Sequence, residues 1–472
     1  MKTSFLGSGP GRIDQVPPQK ILGNQRPLSG LSISRARCAR HKSRGNTLVI
    51  TLVTVTILGF TLASYLDLTR NQNVSTMRSQ AWNSSIPVLE AGVEEALTQL
   101  FYYPTNRSAN GWNLLNGAYT KQRDLGLSRY VVTISTDSVP VIISKAYVRI
   151  PLHSDFINPP RTVRVTVTNA PMFAKGMVAK GSIDLSGNLI RTDSFDSSDP
   201  AHSNNGQYDP GKAKDNGDVA TNSSVVDTLD VWNADIFGKA STGPGGNVQI
   251  GQNGSVGSAA WHAAGNQGIE PGWSNDDMNV QFPNVRAPFS GGALSPAGGS
   301  VGGTNYTYVL TSGNWQLDSL ELSGQDNVLV TGTAILYVKS EIKMTGSSYI
   351  LIATNSNLQL YMGGSTASIG GNGVINSSGN ATNFYYFGMP ANTSLALAGN
   401  AAFVGSIYAP QANFTLGGGG NNAYDFVGAS VTGTVKMNGH FNFHYDENLG
   451  RVGPDRGFTI TSWNEMFTWE EL

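Results

Sequence analysis

From Asn46 to Leu66 the chain carries no charged residue. A run of about twenty such residues is long enough to cross a bilayer as a helix. Its threonines do not forbid this, because each hydroxyl can bond a backbone carbonyl one turn back. Just ahead, the stretch from Ser34 to Arg44 holds Arg35, Arg37, Arg40, Lys42 and Arg44 and no acid. Cytoplasmic flanks are the basic ones. The expectation is a single membrane span with its N-terminus in the cytoplasm and everything after Leu66 outside the inner membrane.

The helical pattern continues past the lipid boundary. Between Arg78 and Leu100, Leu89, Val93, Ala96, Leu97 and Leu100 fall on one face, with Glu90, Glu94 and Glu95 on the remainder. Pro87 is expected to kink this rod without abolishing it. A cleaved secretory signal would have a shorter apolar region and a better exit than "GFTLASYLD". A plain signal anchor accounts for length and charge but not for the amphipathic continuation. A prepilin-type segment, cut on the cytoplasmic side after a glycine, accounts for all three.

On Arg44-Gly45, the apolar run from Leu48 and "LEAGVEEAL" (Leu89 to Leu97), the chain resembles the PilX-type pilus assembly proteins, minor-pilin-like components of type IV pilus systems. The resemblance implies a prepilin-like minor component of a type IV pilus or type II secretion-like assembly, carried into a cell-surface pilus. Gly45 would precede the prepilin-peptidase cut and Asn46 would become the mature N-terminus. The implied partners are that peptidase and other pilins or pseudopilins. Major pilins carry a glutamate at the fifth mature position and begin with Phe or Met. Here those positions are Ile50 and Asn46, which argues against a bulk filament subunit and leaves a low-copy or tip role open.

Strand-like runs follow the helix: Arg129 to Thr136, Val139 to Leu152 and Arg161 to Asn169. In the last, Val163, Val165 and Val167 alternate with Thr162, Arg164, Thr166 and Thr168, as in a half-buried antiparallel strand. Helix plus three such strands is a short α+β head. From Met172 a different motif recurs: apolar, any, apolar, small, Gly. It occurs as "IDLSG" (Ile183 to Gly187), "LELSG" (Leu320 to Gly324), "VLVTG" (to Gly332), "IKMTG" (Ile342 to Gly346), "LALAG" (Leu395 to Gly399), "FTLGG" (Phe414 to Gly418) and "VKMNG" (Val435 to Gly439). Glycine takes the tight corner, and the two apolar positions point inward. The recurrence predicts a mainly-β domain built as a right-handed β-solenoid, with Leu395, Leu397, Phe414, Leu416, Val435 and Met437 in one core; a β-sandwich uses the same ingredients. The expected divisions are a basic leader (1–45), the transmembrane and amphipathic helix (46–100), a pilin-like β head (101–170), the solenoid (171–450) and a C-terminal tail (451–472). On "GSIYAPQA", "FVGASVTG", "HFNFHYDENL" and "SGNLIRTDSFDS", most of Met172 to Leu449 resembles an uncharacterised β-helical domain found behind prepilin-like N-termini.

Chemistry is sparse. A net charge of −1 and 13% charged residues provide no basic surface for nucleic acid. Cys38 is the single cysteine, so no disulfide forms within the chain. Asp193, Asp196 and Asp199, and likewise Asp209, Asp215 and Asp218, lack the spacing of a calcium loop and read as turn residues. His440 and His444 share a strand face without a third ligand and are expected to pack or to bond Asp446. "GGGGNN" (Gly417 to Asn422) has no residue to complete a phosphate loop. Asp318, Glu321 and Asp326 are the carboxylates a polysaccharide-cleaving site could use. The expectation is a non-enzymatic protein with no cofactor and no metal. The alternative is a surface-anchored β-helical carbohydrate-binding protein or polysaccharide-degrading enzyme, with surface polysaccharide as its partner.

Overall fold

The computed structural model describes residues 46–466 except 103–106, 153–154, 188, 400–402, 419–423 and 439. Gly45, the leader 1–45, residues 467–472 of the tail and most of "GGGGNN" lie outside the described residues. The chain divides into two compact units, 1–75 and 76–472.

The first unit holds most of α1 (Asn46–Asn83). This is a helix long and apolar enough to cross a membrane, with a mean hydropathy of 2.0 in its most apolar window. Its threonines bond as the sequence suggests: Thr51 to Leu48 O, Thr54 to Ile50 O and Thr61 to Leu58 O.

In the second unit the rod breaks at Ser84 and Ser85, and the Ser85 hydroxyl donates to Trp82 O. The next helix, α2 (Ile86–Tyr102), has Pro87 in its first turn, where the missing N–H costs no helical bond. Five antiparallel strands follow in a meander: β1 (Asn113–Leu115), β2 (Ala118–Leu125), β3 (Ser128–Ser135), β4 (Val141–Val148) and β5 (Arg161–Pro171). Alternation puts Val132, Ile134, Ile142, Val163 and Val165 inside, against Leu89, Val93, Ala96 and Leu100 of α2. The sheet does not end with β5. The strand Asp455–Met466 pairs antiparallel with it, Trp463 beside Val165. The stretch expected as a C-terminal tail therefore supplies an edge of the head. Everything between Pro171 and Asp455 is an insertion, and its two ends run side by side, with Met172 N donating to Pro454 O at 2.9 Å.

The insertion is mainly β, and its strands pair in parallel along three ladders, apart from the antiparallel pairing of Ala297–Val301 with Thr304–Leu322. In the first, Leu320, Ile342, Ala367, Leu395, Phe414 and Val435 stand in successive register. Val435 then pairs with Ile183, and Ile183 with Leu229. Every recurring motif except "VLVTG" begins on this row. The inner column is buried throughout, including Leu395, Leu397, Phe414, Leu416, Val435 and Met437. The second ladder runs from Trp315 through Leu336, Leu360 and Tyr386 to Ile407, continues through Ser430 to Met177 and Val219, and ends at Ser274–Asn275. The third carries the stacked rings of Phe403, Phe426 and Phe443, 4.7 and 4.5 Å apart, and passes through Thr192 to Ile236.

Spatial order differs from sequence order. The rungs of 304–446 descend in sequence, and the last of them pairs with the first of the rungs in 177–275. The segment 276–296 returns from the far end of the stack to the other. On the way Met278 N donates to Thr242 O, Tyr408 OH donates to Pro283 O, Phe289 meets Tyr337 edge-on at 6.1 Å, and Leu294 bridges to Trp315.

Candidate functional site

α1 exposes Leu48, Ile50, Leu52, Val55, Leu58 and Phe60 by more than half of their area. Each such side chain forfeits about 1.5–3 kcal/mol by staying in water. The row therefore needs an apolar partner, either lipid or another helix. Asn46 opens the helix, and Ile50 belongs to the exposed row, with no acid among its neighbours up to Leu66.

The outer columns of the first ladder are polar. Thr366, Ser394, Asn413 and Thr434 stand in register, as do Ser368, Ala396 and Thr415, between Lys343 above and Lys436 below. These residues are exposed or half-exposed. Apart from Ala396 they make a strip of hydroxyls with the Asn413 amide among them, repeated about every 4.8 Å by strand pairing.

The outer column of the second ladder is aromatic instead. Tyr361 and Phe387 stack at 4.8 Å, and Met278, Phe282 and Val285 of the returning segment pack on that cluster. A cleft of about 450 Å³ opens where this segment meets the head, with Phe101, Asn169, Tyr361, Phe387 and Phe458 on its walls.

A dense polar cluster lies at the seam where the last rung meets the first. His444 is 2% exposed. Its Nδ1 lies 2.5 Å from Asp193 Oδ1 and its Nε2 3.3 Å from Asp425 Oδ1. The Tyr208 ring stacks on it at 3.6 Å and donates its hydroxyl to Asp193 Oδ2 at 2.8 Å, where Arg191 Nε also donates. Burial pushes His444 down, but the hydrogen bonds to Asp193 and Asp425 and their charges outweigh it and leave its pKa above the ordinary value. Beside it Glu447 receives Ser194, Lys214 and Asn216, and Arg451 donates to Asp196. Asp446 is buried, accepts from the Ser197 and Asn448 amides, and has one oxygen without a partner; burial pushes its pKa up.

The aspartates flagged in the sequence are each occupied by the protein. Asp199 and Asp209 accept from backbone amides two residues on. Asp215 accepts from Ala259 N, and Asp218 pairs with Lys175. Among the described residues no group of three or more His, Cys, Asp or Glu is placed to hold a metal ion. Of the two expectations for His444, packing or a bond to Asp446, the ring packs on Tyr208 and bonds Asp193 and Asp425, while Asp446 turns to the Ser197 loop. His440 precedes the strand Phe441–Asp446. Asp318 pairs with Lys339, Glu321 accepts from Ser319, and Asp326 closes its own turn at Ser323. Sequence reading missed Tyr208, Asp425, Glu447 and Arg451. They meet their partners across as many as 255 residues, and no spacing rule reaches that far.

Residues 290–452 match the family model of a domain of unknown function, DUF7305. This stretch is the descending part of the stack together with the end of the returning segment. No curated protein matches the chain. Among solved structures, the competence-associated pilin ComZ from Thermus thermophilus is similar over 81% of this chain and 97% of its own, at 10% identity and a TM-score of 0.21. A score that low does not establish a shared fold.

Proposed function

We propose that the protein is a prepilin-like, low-copy component of a type IV pilus or type II secretion-like assembly, which displays a β-solenoid outside the cell. The observation that carries this is α1: an apolar helix bare from Leu48 to Leu68, preceded by basic residues up to Gly45 and followed by an amphipathic α2 laid on an antiparallel sheet. A span with its N-terminus in the cytoplasm and later packing against other pilin helices would satisfy the bare row in turn. The parallel ladders are read as coils of the solenoid, inserted between β5 and the closing strand of the head. The reading is non-enzymatic, and the buried His444 and its carboxylates are taken as structural. N-terminal sequencing of the mature protein tests it. A start at Asn46, abolished when Gly45 is replaced by a bulky residue, supports the proposal. A start at Met1, or beyond Ala63, removes it.

The polar strip on the first ladder favours a second reading, in which an uncleaved anchor presents a surface that binds polysaccharide. An intact leader, together with retention of the protein on insoluble polysaccharide that is lost in Thr415→Lys, would favour it.

A further inference from the structure

We propose that His444 is a proton-operated clasp: as an imidazolium it holds the last rung of the β domain on the first, and on losing its proton it lets that junction loosen. Both ring nitrogens face carboxylate oxygens, at 2.5 Å from Asp193 and 3.3 Å from Asp425. A carboxylate only accepts, so both contacts are hydrogen bonds only when both nitrogens carry hydrogen. A neutral ring would aim a lone pair at one of the two carboxylates.

The groups facing the ring come from three segments. Asp193 lies on the first rung and Asp425 on the strand beside His444. Tyr208 comes from the loop above, and Arg191 holds the far oxygen of Asp193. Two carboxylates balance two cations only while His444 is protonated. Without that proton Asp425, half exposed, turns to water, but Asp193, fully buried, loses its charged ring partner and keeps only Arg191 and Tyr208 on its far oxygen, a loss that is costly in a buried site.

The junction is also where such a loss has most effect. Elsewhere neighbouring rungs follow one another in the chain, but Asp193 and His444 are 251 residues apart. The shift of His444 is upward. Its contribution is therefore complete below the ordinary value of 6.5 and is lost as pH rises through the higher folded value. Tyr208 is pushed up by burial and by Asp193 and stays neutral. Asp446, raised by burial, acts in the same sense, so a variant at position 444 is needed to separate the two.

The test is hydrogen–deuterium exchange on the full chain in detergent between pH 6 and 9.5. Protection of Arg191–Phe195 and Phe441–Asp446 is referenced to Asn357–Met362 and Phe384–Gly388 in the same molecule, which cancels the intrinsic effect of pH. The wild type is expected to lose seam protection relative to the reference as pH rises above 6.5. His444→Gln should have low seam protection that falls less with pH than the wild type's, the remaining fall being that of Asp446. Asp425→Asn, which keeps the Asp193 contact, should shift the loss to lower pH, and it carries the test if His444→Gln does not fold. A wild-type ratio that is constant with pH, an equal fall in His444→Gln, or no shift in Asp425→Asn overturns the clasp.

Discussion

A carboxylate that accepts from Lys121, Arg123 and Tyr130 at once is held ionised. Burial pushes Glu95 up, but those three partners outweigh it and bring its pKa down to about 2. Such a group stabilises the fold above its unfolded value of about 4.5, and that stability is lost as pH falls towards 2. Discounted for the solvent that reaches it, the contribution is about 1–2 kcal/mol. The melting temperature of the head should fall between pH 4.5 and 2, and Glu95→Gln should flatten that slope while lowering stability at neutral pH. Gly92 matters for space. A Cβ there would overlap the Ser144 hydroxyl, which donates to Leu89 O. Gly92→Ala should cost about 1–3 kcal/mol, and Ser144→Ala should recover part of that loss, read as coupling in a denaturant double-mutant cycle. In the β domain, Leu397→Asp buries an unpaired charge and should cost several kcal/mol. Thr415→Asp, on an outer column, should be tolerated; circular dichroism melts of the two variants check the assignment.

At the scale of elements, the returning segment 276–296 has no regular structure of its own for most of its length, yet it seals the aromatic column. Phe282 is half-buried there. Phe282→Ala should cost about 1–2 kcal/mol, less than a core phenylalanine, and should raise cleavage of the segment in limited proteolysis. The motif copies made the first ladder readable, because two inward apolar residues and a glycine corner repeat in sequence. The same rule passed over "TASIG" (Thr366 to Gly370) and "LDVW" (Leu229 to Trp232), which occupy that ladder with a small residue or without the glycine. Glu95 fell on the solvent side by helical periodicity, because its basic partners come from β2. The closing strand Asp455–Met466 was unreadable for a similar reason. Its partner β5 lies on the far side of the insertion, and an edge strand carries only a weak alternation.

For the whole molecule, the insertion means that the head joins the stack at its seam and not at either end. One arm of rungs, 177–275, extends from that point, and the other, 304–446, extends from its opposite side. The seam can also be expressed as a waiting time. During synthesis the first-made rungs expose a complete row of unpaired amides and carbonyls, an aggregation template, until the last-made rung arrives. β5 waits in the same way for Asp455–Met466. Pairings this distant in sequence fold slowly, so completion of the two should be a late and shared event. Pulse labelling during refolding should show Arg191–Phe195, Phe441–Asp446 and Arg161–Pro171 gaining protection together, after Asn327–Met344 has done so. A cell making this chain must therefore keep an open sheet edge shielded until the strand ending at Met466 has been made.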